Sequence, residues 1–317
     1  MITSLPIKDQ VTVAVCSYNA AHYLPNLIEK LLAQECSIPF EVLIINNNST
    51  DNTQELVERL AAINDTIRYV NEFEQGIAFA RNRAIEESLS SRYLAFIDAD
   101  ELPEKNWLQA AITVLRDDEI DCVGGKISIS LSSRPKWLSD ELLPFYGEVN
   151  YSKHTFRIID RSTPIWSGNV AYNTRIFHQG LRFDTRYNRK GNELGGGEDD
   201  IMLRYLLQHS FKLVYEPKME VLHLISDAKI KRRYFLKIHY LAGKKSALYQ
   251  KNFDGKKIFG VPRFLFLQLF KKTYQVLYRR FAKPCTYMRE AMNWTYQLGL
   301  IVGSYQKQVS KNSTNEL

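Results

Sequence analysis

The stretch "YLAFIDADELPEKNW", Tyr93–Trp107, carries an apolar run, Leu94–Ile97, straight into Asp98, Asp100 and Glu101 with no polar spacer. An apolar run of this length with aromatics in it reads as a buried strand. Carboxylates this close repel one another, and a charge that leaves water without a partner is costly. The strand must therefore end in solvent or beside something positive. If the segment stays extended, Asp98 and Asp100 point the same way, because side chains alternate along a strand. Two carboxylates on one side of a strand end make a hard-oxygen site that suits Mg2+ or Mn2+, with phosphate and water completing the shell. The spacing alone is equally that of a capping or surface-loop acid; the position after a buried strand favours the metal.

Upstream, "VTVAVCSYN" (Val11–Asn19) reads as a buried strand and its loop. Leu24, Leu27, Ile28, Leu31 and Leu32 then recur at helical spacing. Phe40–Ile45 is a second strand leading into "NNNSTDNT", "TQELVERLAAI" a second helix, "TIRYVN" a weaker strand, and "GIAFARNRAIEESL" a helix after Gly76. Strands alternating with helices imply βαβ units and a parallel sheet. In such sheets ligands bind beyond the carboxyl ends of the strands. Three strand ends supply the chemistry there: Ser17–Asn19, Asn46–Asp51 and Asp98–Asp100.

A chain of 317 residues with 45% hydrophobic and 24% charged residues fits one large α/β domain or two smaller ones. Its four cysteines, Cys16, Cys36, Cys122 and Cys285, are far apart. They read as reduced thiols of a cytosolic protein rather than a disulfide framework or zinc site. "MITSLPIKDQ" lacks the apolar region of a signal peptide, and no segment reaches the roughly 18 uncharged apolar residues that span a bilayer. The net charge of +7 conceals a split: residues 226–317 carry 19 Lys or Arg and 4 Asp or Glu, while residues 1–225 carry 23 and 31. Such asymmetry points to two regions with different partners, the basic one anionic.

The motifs "VAVCSYN", "NNNSTDNT", "GIAFARNRAI", "YLAFIDAD", "WSGNVAYNTRIF", "GLRFD" and "GGGEDDIMLRYLLQ", in this order, resemble the family 2 glycosyltransferases of the GT-A fold, of the type that builds bacterial polysaccharides. The likeness covers about residues 10–225. It implies a Rossmann-like, mostly parallel sheet flanked by helices, with a nucleotide-sugar half over about 1–101, an acceptor lobe over about 102–225 and a basic, mainly helical extension over 226–317. The implied enzyme is a hexosyl-transferring, metal-dependent, inverting glycosyltransferase. It moves a sugar from a nucleoside-diphosphate-sugar to a hydroxyl of a saccharide or lipid-linked saccharide.

By this resemblance Ser17, Tyr18 and Asn19 surround the nucleobase and ribose. Asn47 takes the place where many members read a pyrimidine with Asp; an amide both donates and accepts, which leaves the base open. Arg81 approaches the nucleotide, whereas Arg83 fits a solvated helix face. Asp98 and Asp100 form the DxD, with Asp100 the direct ligand of Mn2+ or Mg2+ and Asp98 on the ribose or a metal-bound water. His223, in "EVLHLI", completes the metal site in some members; an imidazole in an apolar strand is also a common structural residue. Gly168 and Asn169 lie under the donor sugar.

"GGGEDDIMLRYLLQ" is the second centre. Acids at a helix start are favoured by its dipole, which accounts for one acid better than for Glu198, Asp199 and Asp200 together. By resemblance Asp199 is the catalytic base, and Glu198 holds the acceptor or tunes the base. Neighbouring acids should raise the base's pKa. Gly195–Gly197 suit a mobile lid, and Arg204 pairs with Asp200 one turn away. Trp137, Phe145, Tyr146 and Tyr151 read as an acceptor loop or as a satellite hydrophobic cluster.

In the tail, Phe264, Leu267, Phe270, Tyr274, Leu277 and Phe281 recur at helical spacing, flanked by Lys271, Lys272, Arg279 and Arg280. This suits a helix lying on an anionic membrane surface, or one packed on the catalytic domain. The expected place is the cytoplasm, peripherally on the cytoplasmic leaflet. A nucleic-acid partner has no supporting motif. The alternatives to transfer are a sugar nucleotidyltransferase, whose Gly-rich phosphate loop is absent from "CSYNAAHYLPN", and a non-catalytic binder.

Overall fold

β1 (Lys8–Ser17) is buried from Val11 to Ser17, which accounts for its unbroken apolar run. It pairs in parallel on both sides, with β2 (Phe40–Asn46) and with β4 (Ser91–Asp98). Central parallel strands are covered on both faces, so alternation is lost and continuous Val, Ile and Leu take its place. In a computed structural model, which describes residues 6–189, 196–250, 253, 255–282 and 287–314, β3 (Ile67–Asn71) extends this parallel set beyond β2. The helices between these strands are α1 (Leu24–Leu32), α2 (Thr53–Ile63) and α3 (Ile77–Glu87). α1 shows the local logic: Leu24, Leu27, Ile28 and Leu31 are buried along one face, and Pro25 sits in the first turn where its missing N–H is harmless.

The rest of this half comprises β5 (Glu101–Pro103), α4 (Trp107–Leu115), β6 (Cys122–Leu131), β7 (Phe156–Ile158), β8 (Asn169–Asn173), α5 (Glu198–Gln208) and β9 (Leu213–Ile225). Among the described residues these complete a nine-stranded sheet of order β3-β2-β1-β4-β8-β6-β9-β5, with β7 on β9. Beyond β4 the described pairings are antiparallel. The fold is mixed α/β, with a parallel half and an antiparallel half meeting at β4.

Register positions the site. Cys16 pairs with Asp98 and Ser17 with Asn46, so the three polar strand ends lie on one edge. After Asp98 the chain leaves β4 through Ala99 and Asp100 and becomes the far edge strand β5, where Glu101 pairs with His223 of β9. Pairing thus brings a histidine 123 residues away to the DxD.

By contact clustering the chain forms two units. One holds the described residues of 1–130, 146–189 and 197–225; the other holds chiefly 131–145 and 226–314. The second contains α6 (Arg232–Lys245), the short strands β10 (Lys257–Ile258) and β11 (Val261–Pro262), α7 (Arg263–Ala282) and α8 (Tyr287–Thr314). α6 and α8 approach almost backbone to backbone: a Cβ on Gly243 would stand 2.1 Å from the Tyr296 carbonyl, and one on Gly299 2.0 Å from that of Tyr240. Among the described residues no helix is long and apolar enough to cross a membrane.

Candidate active site

The carboxyl edge of β1, β2 and β4 opens into a cleft of about 190 Å3 whose lining includes Ser17, Tyr18, Asn19, Asn47, Asp98 and Asp100. Six of the residues singled out in the sequence therefore meet. Several do structural work there. Ser17 is buried and donates to the Ile45 carbonyl at 3.3 Å. Asn19 Oδ1 accepts the Thr50 N–H at 2.7 Å and the Asp51 N–H at 3.3 Å, joining the loops after β1 and β2. Asp51 accepts the Thr53 N–H at 3.0 Å where α2 begins.

Asn47 differs from its expected role as a base reader. Its Nδ2 donates to the carbonyls of Glu72 (3.2 Å) and Glu74 (2.8 Å), and its Oδ1 accepts the Gly76 N–H at 2.6 Å. The amide has found its partners in loop 72–76, so Asn47 shapes the cleft wall. Cys16, beneath the cleft, is held as a thiol: burial pushes its pKa up to about 12.

Arg81 is the centre of the arrangement. It is buried at 3% exposure on α3. Its Nη1 donates to Glu198 Oε1 at 2.9 Å and to Asp199 Oδ1 at 2.8 Å, and its Nη2 donates to Asp98 Oδ1 at 3.3 Å. One planar guanidinium thus ties the DxD to the start of α5; such a fork suits fixed, multidentate recognition of carboxylates. Arg83 lies outside this network and pairs with Glu87 at 2.9 Å.

Asp199 has an unusual environment. Its carboxyl is pushed up to about 6, chiefly by desolvation; Arg81 opposes this, Glu198 adds to it, Ser167 opposes it and Asp98 adds to it. The direction is the one expected from the neighbouring acids, but burial is the larger cause. Oδ1 takes the hydrogen bonds of Arg81 and of the Ser167 hydroxyl. Among the described residues Oδ2 accepts no hydrogen bond, which leaves it open to a proton. Ser167→Ala removes a donor to the charged form. The acid limb of the pH–rate profile should move to higher pH, with activity falling near pH 6 and unchanged near pH 8; an unmoved limb contradicts the contact.

Glu198 is buried, with Oε1 on Arg81 and Oε2 accepting the Gly197 N–H at 2.9 Å. Both of its oxygens are thus engaged within the protein, one on Arg81 and one at the end of the loop that enters α5. Asp200 turns outward to Arg204 at 2.7 Å, as the spacing predicts, and also to Arg161 at 2.6 Å. Of the expected lid, Gly195 lies outside the described residues.

Around the DxD, His223 Nε2 stands 3.3 Å from Asp100 Oδ2. Glu101 is buried at 3% exposure, and its carboxylate lies within 3.4 Å of the Asp98 N–H. Gly168 explains itself: a Cβ there would stand 2.9 Å from both Glu101 carboxylate oxygens and 3.0 Å from Asp98 Oδ2. Any side chain would displace the acids. Asp98, Asp100 and His223 offer two carboxylates and an imidazole. Among the described residues no three or more His, Cys, Asp or Glu are arranged so that they could hold a metal ion.

Asn169 and the aromatics of 137–151 are engaged within the protein. The Asn169 side chain turns into the core: Oδ1 accepts the Trp107 indole N–H at 2.8 Å, and Nδ2 donates to the carbonyls of Lys126 (2.8 Å) and Met219 (2.9 Å). It braces β8 against β6 and β9 and has no hydrogen left for a sugar. The aromatics of 137–151 are packing residues. Trp137 meets Phe235 edge-on at 5.6 Å, Phe145 meets His239 at 4.6 Å, and Arg289 covers Phe145 at 4.8 Å. Tyr146 is buried, and Tyr151 donates to the Pro164 carbonyl at 2.6 Å.

Sequence reasoning missed Ser167, which sits inside the quoted "WSGN", and Arg189, which lines the cleft and accepts the Ile77 N–H at its carbonyl at 3.2 Å. Nothing in its sequence surroundings marked Arg189.

A strand-end cleft with a DxD, facing an acidic helix start across one arginine, is the arrangement of the GT-A class. The sequence pattern described as "Glycosyl transferase family 2" matches residues 12–181, and the chain belongs to that family. It is similar to the glycosyltransferase AglE of Haloferax volcanii, 31% identical over 132 residues that make up 41% of this chain and 42% of that one. It is also similar to the glycosyltransferase GlyA of Streptococcus pneumoniae, 24% identical over 233 residues, 71% of this chain and 32% of that one. The matched stretches thus span 42% and 32% of these relatives' length. Among solved structures it resembles the mannosyltransferase PcManGT from Pyrobaculum calidifontis in complex with GDP-Man and Mn2+, with TM-score 0.58, 17% identity and coverage of 98% of this chain and 89% of the other. At that identity the likeness speaks for the GT-A fold.

Proposed function

We propose that this chain is a metal-dependent, inverting glycosyltransferase that moves a sugar from a nucleoside-diphosphate-sugar to a hydroxyl of a saccharide or lipid-linked saccharide at the cytoplasmic leaflet. The observation that carries this reading is the shared contact of Arg81 with Asp98 and Asp199. It sets a leaving-group site and a base side by side, as direct displacement at a sugar carbon requires.

The donor enters the cleft with its nucleoside against Tyr18 and Ser17 and its diphosphate toward Asp98 and Asp100. Arg189, at the cleft wall, adds positive charge for the diphosphate. Hard carboxylate oxygens and one imidazole fit Mn2+ or Mg2+, which diphosphate oxygens would help to coordinate. When bound, such an ion supplies charge neutralisation at the departing diphosphate. Asp199 Oδ2 takes the acceptor's hydroxyl proton as the new bond to the anomeric carbon forms on the face opposite the breaking bond. The nucleoside diphosphate leaves with the bonding pair. Arg81 keeps Asp199 aligned and ionisable, while burial keeps it basic enough to act near neutral pH.

Asp100→Asn tests the donor half. It removes a carboxylate from the DxD without altering its volume, so metal-dependent binding of the nucleotide-sugar should weaken by about a hundredfold. Titration calorimetry with a nucleotide-sugar panel in Mn2+, repeated with chelator, reads it. Equal binding with and without chelator in the unsubstituted protein sinks the metal role.

A further inference from the structure

α7 has two apolar faces. The inner one includes Leu265, 1% exposed, and faces α8, whose Trp294 Nε1 donates to Thr273 Oγ1 at 2.9 Å and whose Gln297 Nε2 donates to the Leu265 carbonyl at 3.0 Å. The outer one runs through Leu267, Phe270, Tyr274, Leu277 and Phe281 in steps of three and four residues, with Tyr278 beside them, each between 53% and 81% exposed. A helix on a water-facing surface normally turns polar residues outward. A continuous exposed apolar stripe of this kind marks a docking surface. The same unit exposes Phe259 at the β10–β11 turn, 83% accessible and at φ 49°, with Lys256 and Lys257 exposed just before it.

We propose that the outer stripe of α7 docks the second unit on an anionic lipid bilayer, lying in the interface with its rings at the boundary of headgroups and acyl chains. Charge decides between this occupant and a second copy of the chain. Region 226–317 carries 19 Lys or Arg against 4 Asp or Glu, and Lys271 and Arg280 flank the stripe. Two such faces brought together oppose equal positive charge, whereas anionic headgroups complement it. A convex helical ridge also suits a fluid surface better than a preformed groove suits a peptide. The inference deepens the reading of a lipid-linked acceptor and rests on that reading for its purpose. Vesicle binding is measured without turnover, so either idea can fail while the other stands.

The test is co-sedimentation of the full chain with vesicles of phosphatidylglycerol and phosphatidylcholine, against phosphatidylcholine alone, at low and high salt. The chain should pellet with the anionic vesicles and less so in high salt. The triple variant Phe270→Asp, Leu277→Asp, Phe281→Asp should bind them at least about a hundredfold more weakly. Its helical content by circular dichroism and its thermal unfolding should stay unchanged, which shows that the second unit still folds. Failure of the unsubstituted chain to pellet overturns the proposal, as does equal pelleting by the triple variant. A dimer that the triple variant splits, with no vesicle binding, overturns it in favour of a second copy.

Discussion

Asp199→Asn is expected to lower the transfer rate by about a thousandfold, the scale of a lost general base, while donor affinity stays within about threefold. The amide keeps the size of the carboxyl and still accepts from Arg81 and Ser167, so the site stays assembled and loses only its proton acceptor. In the unsubstituted enzyme the rate should climb with pH as Asp199 ionises near its pKa of about 6, then level off. Stability should run the other way. The pKa rises from 3.8 to about 6 on folding, so within that window the folded protein holds a proton that the unfolded chain has released. Stability contributed by this group is full below the lower value and is lost as pH rises through the upper one. Asp199→Asn removes that loss. Its urea midpoint should fall less between pH 4 and pH 7 than that of the unsubstituted protein. An identical pH dependence in both contradicts the placement of this group.

Arg81→Met should be the most destabilising single change at the site. Asp98, Glu198 and Asp199 all lean on one guanidinium that is 4% exposed at its side chain. Removing one partner of a buried ion pair costs about 3–5 kcal/mol, because the remaining charge stays desolvated. The deficit should shrink as pH falls toward 5, where Asp199, no longer held ionised by Arg81, takes up a proton. Arg81→Lys should recover only part of it, since an ammonium is a point charge without the planar fork. Urea unfolding at pH 5 and pH 7.5 reads both effects. A deficit below about 1 kcal/mol that ignores pH contradicts the role given to Arg81, being the size of an exposed pair.

Much of this was legible in the residues, for identifiable reasons. β1, β2 and β4 are buried on both faces, so their sequences have little freedom and announce themselves as apolar runs. Their polar ends had to converge, because parallel strands share one carboxyl edge. The buried face of α1 followed from spacing. What sequence could not supply was the direction of single side chains. Asn47 and Asn169 sit where a ligand reader is expected, yet both amides close on backbone carbonyls. Spacing sees an Asn, not the partners that saturate it. The burial of Glu101 follows from the β5 pairing with β9, in which it opposes His223, and no local pattern encodes so distant a contact. Trp137 and Phe145 illustrate the same limit, since an aromatic that packs edge-on against a ring of its own chain reads like one awaiting a sugar. The outward stripe on α7 was visible as a period, but which of its two apolar faces stayed bare was not.

The central claim is a division of labour: the DxD holds the departing diphosphate, and the start of α5 takes the acceptor's proton. The measurement that tests it most directly compares Asp100→Asn and Asp199→Asn for donor binding and transfer in the same Mn2+ buffer. The account predicts that Asp199→Asn binds the nucleotide-sugar normally and transfers almost none, while Asp100→Asn fails already at metal-dependent binding. Transfer by Asp199→Asn at the unsubstituted rate would contradict it.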